Sequence, residues 1–335
     1  MAPADAVRRL GPLAVAAIVL AIYPLVVKDP FWQNVAILGL IGASAAAAWN
    51  LLGGFGGQVS FGHSIFFGIG GYTVGYLLLA RGMSPWIGLA VGAVLAAIAG
   101  VVIGFPVFRL RTHYFSIATI ALQQVLLVVV INSRPLGQAT GLQLPLQEEG
   151  LRTLQFSVRD ATGYHEVALG LLALTSAAVW AFMRGRPGAY LRAIRDDEEV
   201  ARAMGVPVRR YKLLAMALSA ALTALAGGIY VMYSLFVQPT AVLSLSRSIE
   251  IVLIAVLGGA GTYWGPLVGG FVLTYIEQST RVSLASVHGA GILDAIAHNG
   301  GFDFVIYGAL VMLIAVLEPA GLVGLARRLR RRLRA

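Results

Sequence analysis

Apolar runs of about 20 residues, the length an α-helix needs to cross roughly 30 Å of hydrocarbon, dominate this chain. They fall at 11–27, 31–52, 63–80, 86–108, 113–132, 164–183, 212–237, 243–258, 264–280 and 302–324. In hydrocarbon, backbone amides and carbonyls must find partners within the segment, so each run reads as a helix. The expected fold is an all-α polytopic membrane protein with ten spanning helices, or eight if 243–258 and 264–280 form a re-entrant pair. Composition agrees: 58% of the 335 residues are apolar and 12% are charged, which excludes a soluble globule. The run 11–27 follows Arg8 and Arg9 but ends at Ile22-Tyr23-Pro24-Leu25 without a small-x-small cleavage site. It therefore reads as an uncleaved first span.

The net charge of +10 raises the question of a nucleic-acid partner, and the position of the charge answers it. Of the 25 cations, eight lie between Arg184 and Lys212 and six between Arg327 and Arg334. Both stretches abut spans, which is the pattern of a positive-inside rule, so neither is a nucleic-acid groove. Residues 184–212 and the basic tail 325–335 are then cytoplasmic, and the tail suits anionic lipid headgroups. Counting crossings back from 184–212 places the N-terminus on the same side and the 133–163 loop in the periplasm. Residues 1–335 read as a single transmembrane domain.

Forty glycines are too many for a simple core. Most, such as Gly88 with Gly92 and Gly100 with Gly104, fit close helix packing. Two clusters instead interrupt apolar runs, and they align at a separation of 205 residues: Leu52-Gly53-Gly54-Phe55-Gly56 matches Leu257-Gly258-Gly259-Ala260-Gly261. Paired glycine breaks point to a transport path, because irregular backbone at membrane depth is tolerated only where protein buries it or water fills a cavity. Candidate path residues are Gly53, Gly54, Gly56, Gly57, Gln58, Ser60 and His63 with Gly258, Gly259 and Gly261; the alternative is two ordinary loops at a membrane face. Arg247 and Glu250, at i,i+3 near a span start, read as a mutual pair or a gate. Glu277 and Arg281 have the spacing of a helix ion pair.

The most informative polar stretch is 184–212. Asp196 with Glu199 has capping-box spacing, Asp197 and Glu198 add acids to a first turn, and Gly205 with Pro207 forms a stop. The spacing predicts a helix of about two turns over 196–205, with Val200, Ala203 and Met204 on one apolar face. A helix this short needs a support, either the adjoining spans or a second protein. It reads as a docking helix flanked by Arg192 and Arg195.

Catalytic chemistry is poorly represented. Cys is absent, the five histidines include no i,i+4 pair, and no catalytic or metal site stands out. The two lysines, Lys28 and Lys212, do not follow glycine, so a P-loop is absent; so is a Gly-x-Ser-x-Gly motif. Any ATP-driven work requires another chain, and no cofactor is expected.

The run from Trp49-Asn50-Leu51-Leu52-Gly53-Gly54-Phe55-Gly56-Gly57-Gln58 through Ser60, His63 and Gly68 to Tyr72 resembles the signature of branched-chain amino acid ABC transporter permeases, M-type subunit. The blocks Arg109–Thr119 and Gly188–Gly205 agree, and the likeness covers about 30–325. Where family members often carry an acid, this chain has Gln123 and Gln124. The resemblance implies a bacterial inner-membrane permease paired with a second, H-type permease, two cytoplasmic ATP-binding subunits and a periplasmic substrate-binding protein. It implies that 196–205 is the coupling helix, and that Arg192, Arg195, Asp196, Asp197, Glu198, Glu199, Val200, Ala203, Met204 and Gly205 couple the permease to the ATP-binding subunits. Relatives on this scaffold move urea, amides or small carboxylates, which are the alternative substrates.

Overall fold

The computed structural model describes residues 20, 22–110, 112–156, 162–285, 308–309 and 321–332. The expected spans 11–27 and 302–324 lie largely outside the described residues, as do Arg8 and Arg9 and the side chain of Arg281.

Helix α1 runs Pro30–Asn50, opened by the Asp29 carboxylate, which accepts from the amides of Phe31 and Trp32, with proline at the first helical position. It continues into a π-helical turn, Leu51–Phe55. Then come α2 (His63–Arg81), α3 (Pro85–Val107), α4 (Thr112–Ile131) and α5 (Thr162–Arg184). Two short helices, α6 (Arg186–Asp196) and α7 (Glu198–Ala203), precede α8 (Val208–Ser234). The remainder is α9 (Pro239–Val242), α10 (Leu245–Gly258), α11 (Gly265–Ala285) and α12 (Gly321–Arg332). Among the described residues, seven segments are long and apolar enough to cross a membrane. The protein is thus an all-α polytopic membrane protein. The end of the bundle that carries α6 and α7 is termed the basic face here.

Helix α1 is the axis of the bundle: it packs against α5, α8, α10 and α11 and is almost wholly buried. Helix α8 packs against both α2 and α3, which also touch each other. Glycine sets that spacing. A Cβ at Gly70 would strike the carbonyl of Ala224, and one at Gly227 would strike that of Phe67, so the α2 and α8 backbones touch. Gly92 and Gly100 bring α3 onto Gly70 and Ala220 in the same way. We expect Gly227→Val to push α8 from α2 and cost about 1–3 kcal/mol of overpacking strain. Thermal unfolding of the purified protein in detergent checks this, with Gly170→Val, where a Cβ meets open space, as the control.

Three boundaries differ from the sequence reading. The first break begins at Gly56, because Gly53 and Gly54 stay in the π turn that continues α1. Helix α8 starts at Val208, four residues before the expected 212, with Pro207 at its N-cap and the Pro207 carbonyl accepting from the amides of Arg210 and Tyr211. The run 243–258 becomes helical at Leu245, where the Ser244 hydroxyl caps α10 by accepting from the Arg247 amide, and together with α9 this helix makes up the apolar segment Pro239–Gly258. Its start lies deep in the bundle, where Ser248 Oγ donates to Ser64 Oγ at 2.8 Å and the Gln123 amide donates to the Leu243 carbonyl. At the end of the bundle opposite the basic face, β1 (Leu142–Gln143) pairs antiparallel with β2 (Phe236–Val237), tying the 133–163 loop to the end of α8.

Candidate functional site

Helix α6 does not run straight into α7. Asp197 adopts an extended conformation (φ −158°, ψ 113°), and its carboxylate accepts from the amides of Glu199 at 2.9 Å and Val200 at 3.0 Å. The N-cap is therefore Asp197, which corrects the start expected at Asp196. A cap residue needs extended backbone, and Asp196 is still the last residue of α6. The far end closes as a Schellman motif: Gly205, at φ 82°, donates to the Arg202 carbonyl and Val206 donates to that of Ala201, both at 3.0 Å. Only six residues are helical, too few to be stable alone.

What holds α7 in place is a feature the sequence reading missed. Glu198 Oε2 meets Lys212 Nζ at 2.5 Å, and its other oxygen meets Arg202 Nη2 at 2.9 Å. Lys212 is 3% exposed, so the bond reaches from a surface helix into the root of α8. The separation of 14 residues across a turn follows no helical spacing, which is why the pair was not visible as a motif. Ala201 packs inward beside Ile194 and Val208. Val200 (58% exposed) and Met204 (80%) point outward, and Ala203 is exposed as well. The expected apolar face thus exists, and it faces away from the bundle.

Arg195, near the end of α6, connects this segment to the glycine breaks. A Cβ at Gly57 would sit 3.0 Å from its Cγ, and one at Gly261 2.9 Å from its Nη1. The breaks also meet each other. The Asn50 side chain donates to the Thr262 carbonyl at 2.8 Å and accepts from the Gly261 amide at 2.7 Å, spanning 211 residues of sequence in the second case. Asn50 was not among the expected path residues, although it stands in the run from Trp49 that carries the family resemblance, one residue before the π turn.

From Gly57 the chain runs extended into the bundle as far as α2, and side chains satisfy its backbone. Trp49 Nε1 donates to the Ser60 carbonyl (2.8 Å), Ser116 Oγ to that of Val59 (2.6 Å), and the Phe61 amide to Thr119 Oγ1 (3.1 Å). This is irregular backbone buried in protein. His63 is wholly buried between Trp49 and Phe66, its Nε2 2.8 Å from Ser219 Oγ, which in turn donates to the Ala48 carbonyl. Gly53, Gly54, Gly56, Gln58, Ser60, Gly258 and Gly259 are buried too, and Gly57 and Gly261 partly so.

Several membrane-deep helices, a broken pair that meets at one face, and a capped polar segment packed against that meeting point through Arg195 make the frame of a membrane protein of the transport class. A family model described as the permease component of branched-chain amino acid transport systems matches residues 31–317. The chain belongs to this family, and it is a multi-pass inner-membrane protein. It is 27% identical to the high-affinity branched-chain amino acid transport permease protein LivM of Escherichia coli K12, over 93% of this chain and 75% of that one. It is 24% identical to a probable LivM of Methanocaldococcus jannaschii, over 77% and 78%. More distant relatives include LivH of Escherichia coli K12 (23%, over 87% and 94%) and the ribose import permease RbsC of Haemophilus influenzae (24%, over 68% and 65%). No solved structure matches the chain.

Proposed function

We propose that the chain is the M-type permease of an ATP-driven importer of branched-chain amino acids. It would pair with an H-type permease, with two cytoplasmic ATP-binding subunits on the basic face and a periplasmic binding protein on the other. The observation that carries the reading is α7: its inner side is bonded to buried Lys212, while Val200 and Met204 point outward and are exposed among the described residues. Exposed apolar side chains on a rigid polar segment suit insertion into a cleft of another protein. Movement of α7 would pass through Lys212 to α8, and movement of α6 through Arg195 to both glycine breaks. The breaks are packed shut in this conformation, so the path they would line is closed at the basic face.

The test is reconstitution of this chain with its partner permease, ATP-binding subunits and binding protein in proteoliposomes. ATP-dependent leucine uptake is the expected result. Met204→Asp combined with Val200→Asp should leave the protein in the membrane yet abolish co-purification of the ATP-binding subunits. Gradient-driven leucine uptake by this chain alone would overturn the reading.

A further inference from the structure

A cavity lies inside the bundle among α1, α2, α8, α10 and α11, away from the glycine breaks. One wall is polar, made by Arg247, Glu250, Thr274 and Gln278. Arg247 Nη1 donates to both oxygens of Glu250, at 3.0 and 2.8 Å, and Nε donates to the Ala241 carbonyl at 3.1 Å. Its guanidinium lies 4.8 Å from the Tyr230 ring and 5.3 Å from that of Phe67. Aliphatic lining is supplied by Leu38, Ile41 and Ile251. Glu277 lines the cavity too and has an interaction of its own.

An ion pair at this depth gives little net stability, because desolvation offsets its attraction and apolar residues of the same volume would serve as well. This pair is also not sealed: the two side chains keep 18% and 21% of their surface open. An electroneutral pair beside an aliphatic wall is complementary to one chemical class. A zwitterionic aliphatic amino acid brings one carboxylate and one ammonium, so its entry turns one ion pair into two with no change in net charge. A ligand with only a carboxylate or only an ammonium would leave one member of the Arg247–Glu250 pair without a match. An arginine guanidinium is the side chain best shaped to receive a carboxylate.

We propose that this cavity is a binding station inside the permease for zwitterionic aliphatic amino acids, carboxylate on Arg247, ammonium on Glu250, and side chain against Leu38, Ile41 and Ile251. The proposal rests on the importer reading above. It is tested in the complete reconstituted importer. Glu250→Gln removes the ammonium partner, and Thr274→Met fills the cavity while leaving the ion pair intact. Each should lower leucine uptake at least tenfold in complexes that still co-purify with their ATP-binding subunits. Equilibrium dialysis of the permease pair with labelled leucine should show competition by unlabelled valine but not by 4-methylpentanoate or isopentylamine, each of which carries only one of the two charges. A purely structural ion pair predicts normal uptake in Thr274→Met, and that result would overturn the proposal. Since Thr274→Met leaves the pair in place, it decides the matter even if Glu250→Gln fails to assemble. A wild-type importer that carries no leucine would instead refute the importer reading.

Discussion

Glu198→Lys should abolish transport while leaving the protein in the membrane. The substitution removes the carboxylate that bridges Arg202 and Lys212 and puts a third cation beside them. Lys212 is 3% exposed, and losing one partner of such a pair costs roughly 3–5 kcal/mol. Glu198 keeps 32% of its side chain in water, so the lower end of that range applies. That is still more than a six-residue helix can absorb, since α7 has little intrinsic stability. The expected outcome is a detached α7, with ATP hydrolysis and uptake no longer linked. Glu198→Gln, which keeps a hydrogen bond, should do less harm. The exchange Glu198→Lys with Lys212→Glu should restore part of the uptake. Uptake and ATP hydrolysis measured on the same proteoliposomes check the series; normal, coupled transport in Glu198→Lys would refute the role given to this pair.

The second large effect is expected at Asn50. Asn50→Leu is close in volume, so it opens little space, but it strips both hydrogen bonds that join the two breaks. The Gly261 amide and the Thr262 carbonyl then lose their partner, at about 1–3 kcal/mol for each. Asn50→Asp keeps the acceptor for Gly261 and loses only the donor to Thr262, though it brings a buried charge. A lowered unfolding midpoint together with lost uptake is expected for the leucine variant. Should Asn50→Leu unfold and transport as wild type, the contact between the breaks is dispensable.

The helices were legible because hydrocarbon thickness imposes a length, and composition over about 20 residues reports it. The small-residue packing was legible for a similar reason: Gly88, Gly92, Gly100 and Gly104 recur at helical spacing and do meet Val74, Gly70, Ala220 and Leu213. The capping pattern near 196 was legible to within one residue. Two carboxylates in a row both satisfy the pattern, and only backbone conformation separates Asp197 from Asp196. The Arg247–Glu250 pair was legible from its i,i+3 spacing, but the long-range pairings were not. Glu198 with Lys212, Asn50 with Gly261, and Gln123 with Leu243 join residues whose separation follows no period.

The joining of residue 50 to residue 261 also sets a timetable for biogenesis. At roughly 5–20 residues per second, a ribosome needs about 10–40 s to make the intervening chain. Helix α1 is therefore inserted long before the backbone that its Asn50 amide holds exists. For that interval the amide must rest on water, lipid headgroups or a chaperone, and the axis of the bundle stays provisional until α11 arrives to close it.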